Sequence, residues 1–245
     1  MFTADHFIWL GVIGVLIALA LIVVKKLKIS HRAVGKAVTV LLIILKVFHL
    51  ALSMKPVDGG GYVLYQTQLS FHLCSLMIYA VILVNSVSNK KLIDTLKSFI
   101  VPCLFIGASL ALIIPTEGVD PRVARVWQYM LSHGVLVFYG IYLAVFEKVD
   151  LSFKAYLNNL KLLAGVTLLG FFANSVLEQY GTNFLFLRLP PMEGLPLLNL
   201  NHGWYVYFLT LAAVACVLVF LVHLPCIVLN WRINKKTNKA DTESV

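Results

Sequence analysis

The feature that most constrains this chain is a succession of seven apolar runs, each close to the length of a bilayer-crossing helix. They lie at about Phe7–Val24, Val34–Met54, Leu69–Val87, Phe99–Ile114, Trp127–Phe146, Leu160–Leu177 and Trp204–Leu229. A spanning helix takes roughly 20 apolar residues. In lipid the backbone must satisfy its own polar groups, which leaves only helices and closed barrels. Barrel strands alternate apolar and polar residues, whereas these runs are continuous in Leu, Ile and Val. With 60% of its 245 residues hydrophobic and 13% charged, the chain carries more apolar surface than a water-soluble fold of this size can bury. The expectation is an all-α polytopic membrane bundle: one seven-helix transmembrane domain over residues 1–233, then a polar cytoplasmic tail over residues 234–245.

The basic residues predict its orientation. Of the twenty Lys and Arg, fifteen fall in the odd-numbered loops and the tail, and only Lys55, Arg122, Arg125 and Arg188 in the even loops. Lys46 lies inside a span. Cytoplasmic loops are the ones enriched in Lys and Arg, so the N-terminus is expected outside and the C-terminus in the cytoplasm. The same dispersal argues against a nucleic-acid partner despite the net charge of +9. Asp5 precedes the first run and the basic cluster follows it, a charge order of an uncleaved span. The four cysteines form no CxxC pair, so neither a metal site nor a disulfide framework is indicated. No P-loop, dinucleotide fingerprint or HExxH is present, and no cofactor is expected.

Ionisable groups in a span are costly, and each is a functional hypothesis by default. Lys46, His49 and Ser53 share one face of the second span, with Lys46 roughly 12 Å below its outer end. A lysine there can also snorkel to the interface. Cys74 is expected about 8–10 Å into the third span, where an isolated cysteine is ordinarily a small hydrophobe. His72, two residues away, would point to another side of the helix. His133 on the fifth span is expected at the same depth as Cys74, with Tyr129 at i−4 to orient it. Asn174 and Glu178 lie near the outer end of the sixth span, and Asn183 and Arg188 in the last outer loop. The cytoplasmic halves of the spans read as almost purely apolar.

Phe71-His72-Leu73-Cys74-Ser75-Leu76, Ser132-His133-Gly134 and Gly181-Thr182-Asn183-Phe184-Leu185-Phe186-Leu187-Arg188 followed by Pro190-Pro191 together resemble the bacterial YwaF-like membrane proteins. That group is similar to the animal transmembrane protein 164 family. The resemblance implies an acyltransferase that moves a fatty acyl chain from a phospholipid to a lysophospholipid without coenzyme A. It also implies a multi-pass protein of the bacterial cell membrane with membrane phospholipids as partners. By the same resemblance, Cys74 carries the acyl group and His133 assists. The residue chemistry is compatible. A histidine can take the thiol proton and return it to the leaving group. His72, Asn174 or Asn183 are candidate oxyanion donors, and Lys46 or Arg188 can hold a phosphate. Two other classes stay open. One is a proton-linked or small-molecule transporter built on Lys46, His49, His133 and Glu178; the other is a lipid-binding subunit without catalysis.

Overall fold

A computed structural model describes residues 2–243 except Asp58, Ser70 and Glu193, with the backbone alone for residues 67 and 232–243. The chain is helical throughout, apart from one short hairpin. The helices are α1 (Ala4–Lys26), α2 (His31–Ser53), α3 (Leu73–Ser86), α4 (Lys90–Cys103), α5 (Ser109–Ile113), α6 (Ala124–Phe146), α7 (Phe153–Val176) and α8 (Trp204–Glu243). A π-helical stretch, Leu104–Ala108, joins α4 to α5. Six helical segments are long and apolar enough to cross a membrane: α1, α2, the composite Lys90–Ile113, α6, α7 and Trp204–Trp231 of α8.

The seventh expected span is different. Within the run Leu69–Val87 only the 14 residues Leu73–Ser86 are helical, about 21 Å of helix against a hydrocarbon core of about 30 Å. Gln66–Gln68 form a single 3₁₀ turn, and Leu69 and His72 have extended backbone before α3 begins. The two glutamines explain this, because each brings a side chain that needs polar partners, and Gln68 finds them in Ser53 and Arg125. Two further boundaries moved. The fourth span begins at Lys90, so Lys90, Lys91 and Lys97 ride on a helix and not in a loop; α7 likewise takes in Lys154 and Lys161. The polar tail expected from Asn234 has its side chains outside the described residues, and its backbone continues α8 to Glu243.

The two ends of the bundle differ. At the basic end, Ser30, Asn89 and Ser152 cap α2, α4 and α7 through their side-chain oxygens, satisfying amides that the first turn leaves open. At the other end, β1 (Met54–Pro56) pairs antiparallel with β2 (Tyr62–Leu64) across a turn in which Gly59, Gly60 and Gly61 all have positive φ. We call this the hairpin end. There α1 is pinned to α5 and the loop after it: His6 Nε2–H donates to the Leu112 carbonyl at 2.9 Å, and Trp9 Nε1–H to the Val119 carbonyl at 3.1 Å.

Helix α6 runs through the middle. A Cβ at Gly134 would stand 3.0 Å from Ile13 of α1, and one at Gly140 would stand 3.0 Å from Leu104. These glycines let the backbones approach, as small residues do in membrane bundles. The π stretch follows Pro102, which has no N–H to give to the carbonyl of Ser98 four residues earlier. That carbonyl accepts instead from Asn159 Nδ2 of α7, at 2.8 Å.

The basic half is not apolar, contrary to expectation. Asn85 of α3 bonds Thr39 of α2 and accepts from the Tyr139 hydroxyl of α6. The Tyr142 hydroxyl meets His31 Nδ1, and Lys97 pairs with Glu147. Asn159 also donates to Nε2 of the wholly buried His223, at 3.0 Å. Between this network and the hairpin half lies an apolar layer formed by Leu42, Val81 and Leu136, each at most 1% exposed.

Candidate functional site

The short α3 is what builds the site. His72 is its N-cap and Cys74 its second residue. Cys74 stands against Gly107 of the π stretch: a Cβ on that glycine would lie 3.4 Å from Cys74 Sγ. Gly107 is six residues before the end of α5, so the start of α3 is recessed roughly 9 Å into the bundle at 1.5 Å per residue. The Cys74 amide faces its own thiol, the amides of Leu73 and Ser75 show no partner among the described residues, and Leu76 N–H bonds the His72 carbonyl. Open backbone donors at membrane depth are tolerated only inside protein or beside a cavity. Amides at the start of a helix can also hold a developing negative charge. His72 and Cys74 therefore do not sit on two sides of one helix, as expected; His72 is the non-helical residue before it.

His133 enters from α6. Its Nδ1 lies 2.8 Å from the Tyr129 carbonyl. A carbonyl only accepts, so Nδ1 carries the proton and the Nε2 lone pair is open. The expected orienting role of Tyr129 is thus performed by its backbone. Its hydroxyl instead donates to the Ala111 carbonyl at 3.0 Å. This contact and the Gly140–Leu104 contact bracket Gly107. They put Cys74 level with residues 133–137 of α6, and Tyr129 within electrostatic range of the thiol.

Around these two residues lies a polar cluster. His49 is in electrostatic range of Lys46, Arg125 and His133, and within hydrogen-bonding range of Gln128 and the Gln68 backbone. Lys46 is likewise in range of His72. Arg125 contacts Glu117 at 2.7 Å and the Gln68 amide oxygen. Gln128 donates to Ser132 Oγ at 2.8 Å and to the Leu45 carbonyl at 3.3 Å. Arg125, Gln128 and Gln68 were not among the residues singled out from sequence. A signal was present: Arg125, Gln128, Tyr129, Ser132 and His133 recur at the spacing of one helical face. The loop holding Glu117 is itself ordered, since Arg122 hydrogen-bonds Asp120 and holds its carboxyl down at about 2.

Three expected site residues serve the fold of the last hairpin-end loop instead. Asn174 is buried and exchanges two hydrogen bonds with the backbone of Phe184: its Nδ2 donates to the carbonyl at 3.0 Å, and its Oδ1 accepts from the N–H at 2.8 Å. Asn183 donates to the Leu189 carbonyl and accepts from the Arg188 and Leu189 amides. Arg188 pairs with Glu178 at 2.8 Å on the surface. In this structure their polar atoms bond the loop and Glu178. The loop does reach the site by its rings. Phe184 and Phe186 lie 5.6 and 5.3 Å from His72, centroid to centroid. Leu185 and Phe186 both hold positive φ (57° and 55°), a conformation costly for such residues. Asn174 and the Tyr207 hydroxyl, which donates to the carbonyls of Phe186 and Leu189, hold it in place. Asn174→Ala is expected to lower the stability of the protein by about 2–5 kcal/mol, because two buried backbone groups lose partners. Its signature is a lower unfolding temperature together with faster proteolysis between Gly181 and Arg188.

A model of the TMEM164 family matches residues 1–223. The chain belongs to the TMEM164 family. The match takes in every member of the cluster, from Lys46 to His133, and the loop that clamps His72. No curated protein and no solved structure matches the chain. Among the described residues no group of His, Cys, Asp and Glu is arranged to hold a metal ion. What this TMEM164-family chain presents is a recessed thiol at a helix start, a histidine with a fixed tautomer and a surround of basic and amide groups.

Proposed function

We propose that the protein is a membrane-embedded acyltransferase that moves a fatty acyl chain between lipids through a thioester on Cys74. The observation that carries this reading is the tautomer of His133, with Nδ1–H committed to Tyr129 and Nε2 left as a base at the level of the Cys74 thiol. In the first half-reaction, Nε2 takes the thiol proton, the sulfur attacks the ester carbonyl, and the carbon–oxygen bond breaks. The proton passes to the departing lipid alkoxide. In the second, His133 takes the proton of an acceptor hydroxyl, that oxygen attacks the thioester, and the thiolate recovers the proton. The open amides of the first turn of α3 stabilise the oxyanion in both steps. Membership in the TMEM164 family and the resemblance of the His-Leu-Cys and His-Gly elements support the assignment of chemistry.

The layer of Leu42, Val81 and Leu136 weighs against the transporter reading, because it interrupts the polar groups between the two ends. The test uses purified protein and a diacyl phospholipid labelled in its acyl chains. The expected result is label bound to the protein, released by neutral hydroxylamine and mapped to the peptide holding Cys74. Protein that never becomes labelled, yet retains bound lipid through purification, would favour the lipid-binding subunit and sink the enzyme reading.

A further inference from the structure

Charge in the cluster does not balance. Lys46, His49, His72 and Arg125 gather there, while the one carboxylate among the described residues of the cluster is Glu117, already held by Arg125 at 2.7 Å. His49 on the same helix and His72 at the start of α3 lie in electrostatic range of Lys46, and no ion pair with Lys46 is present among the described residues. Neither histidine neutralises an ammonium. A lone cation within a span is costly until an anion joins it.

A groove of about 460 Å³ opens one turn further along α2, between the end of that helix, the hairpin and α3. Its wall includes Leu50, Leu64, Gln68, Phe71, Leu76 and Tyr79. This volume is in the usual range for small-ligand sites. Leu50 lies one turn beyond Lys46 on the same face of α2. Gln68 belongs both to the wall and to the Arg125 contact, and Phe71 adjoins His72. The polar cluster and the apolar groove are therefore two parts of one surface. Tyr79 is 48% exposed, so the groove reaches the lipid-facing side of the bundle.

We infer that Lys46 binds the phosphate of a glycerophospholipid whose acyl chain lies in the groove along Phe71, Leu76 and Tyr79. The inference builds on the acyl-transfer reading for its choice of an ester-bearing lipid. It adds that recognition requires the phosphate, and that the lipid arrives sideways between α2 and α3. A neutral diacylglycerol with the same chains lacks the anion and is bound poorly.

The test removes turnover and reads binding alone. Protein carrying Cys74→Ala is exposed to phosphatidylcholine with a diazirine on its acyl chain, and in parallel to the matched diacylglycerol. The phospholipid is expected to label the segment around Leu76 and Tyr79, and Lys46→Gln to reduce that label about tenfold, equivalent to about 1.4 kcal/mol of binding. Diacylglycerol labels weakly and equally with and without Lys46. Leu76→Trp keeps the ammonium but fills the groove, and it blocks both probes. Unfolding temperatures of the variants establish that each is folded. Equal labelling by the two lipids, indifference to Lys46→Gln in folded protein, or label confined to α7 and α8 would each overturn the inference. Competition by millimolar inorganic phosphate without any preference for the phospholipid would do the same, since it marks a free-anion site. If no thioester ever forms but Lys46-dependent labelling persists, the acyl-transfer reading fails and the lipid site stands.

Discussion

Cys74→Ala is expected to abolish acyl capture and all lipid remodelling by this protein while leaving the fold intact. Losing the nucleophile of a covalent mechanism costs on the order of 10⁶ in turnover in the best-measured hydrolase. The cost to the fold is small, since the sulfur makes ordinary contact with Gly107 and truncation removes a single atom, a change of about 1 kcal/mol. Cys74→Ser gives a sharper result. A serine hydroxyl at this place is a much poorer nucleophile, and any acyl group it collects is held as an oxygen ester that neutral hydroxylamine leaves in place. Slow, hydroxylamine-resistant labelling of the serine variant and none of the alanine variant would assign the nucleophile. Alanine protein that remodels lipids at the parent rate would remove Cys74 from the mechanism.

The second large effect concerns His133. Its alanine variant should form the thioester about 10²–10⁴ times more slowly, the usual span for loss of a positioned general base. His133→Gln separates position from proton transfer. A glutamine amide can still donate toward the Tyr129 carbonyl but has no basic nitrogen, so it should be as slow as alanine. The pH profile gives an independent readout. The parent rate should fall at low pH as the imidazole is protonated, and this limb should vanish in both variants. Variants that lose rate but keep the limb would make His133 a packing residue. Maleimide labelling of Cys74 in the same variants reports whether the thiol has moved.

How much of this was legible in the sequence depends on the range of the interaction. Apolar runs and helical faces are local patterns, and among the described residues six membrane-length helices came through, with boundaries within a turn except the earlier starts at Lys90 and Phe153. Family membership was legible in short ordered motifs and is now seen over residues 1–223. The failures were long-range or cooperative. Leu69–Val87 is apolar enough to cross a membrane, yet the contacts of Gln68 with Ser53 and Arg125 hold its first part out of helix. Asn85, Asn159 and His223 are single polar residues in apolar surroundings. Their partners lie 46 to 64 positions away, beyond any periodicity. Asn174 lies near the hairpin end of its helix, and its amide bonds the Phe184 backbone ten residues on. Nothing local says that its amide belongs to Phe184.

The apolar layer of Leu42, Val81 and Leu136 has a consequence for the membrane as a whole. On the acyl-transfer reading proposed above, the layer lies between the thiol and the basic end, and donor and acceptor lipids would both be drawn from the monolayer at the hairpin end. Remodelling by this protein would then alter the acyl composition of a single leaflet. Any change in the other leaflet would lag behind, at the pace set by whatever flips lipids across the bilayer.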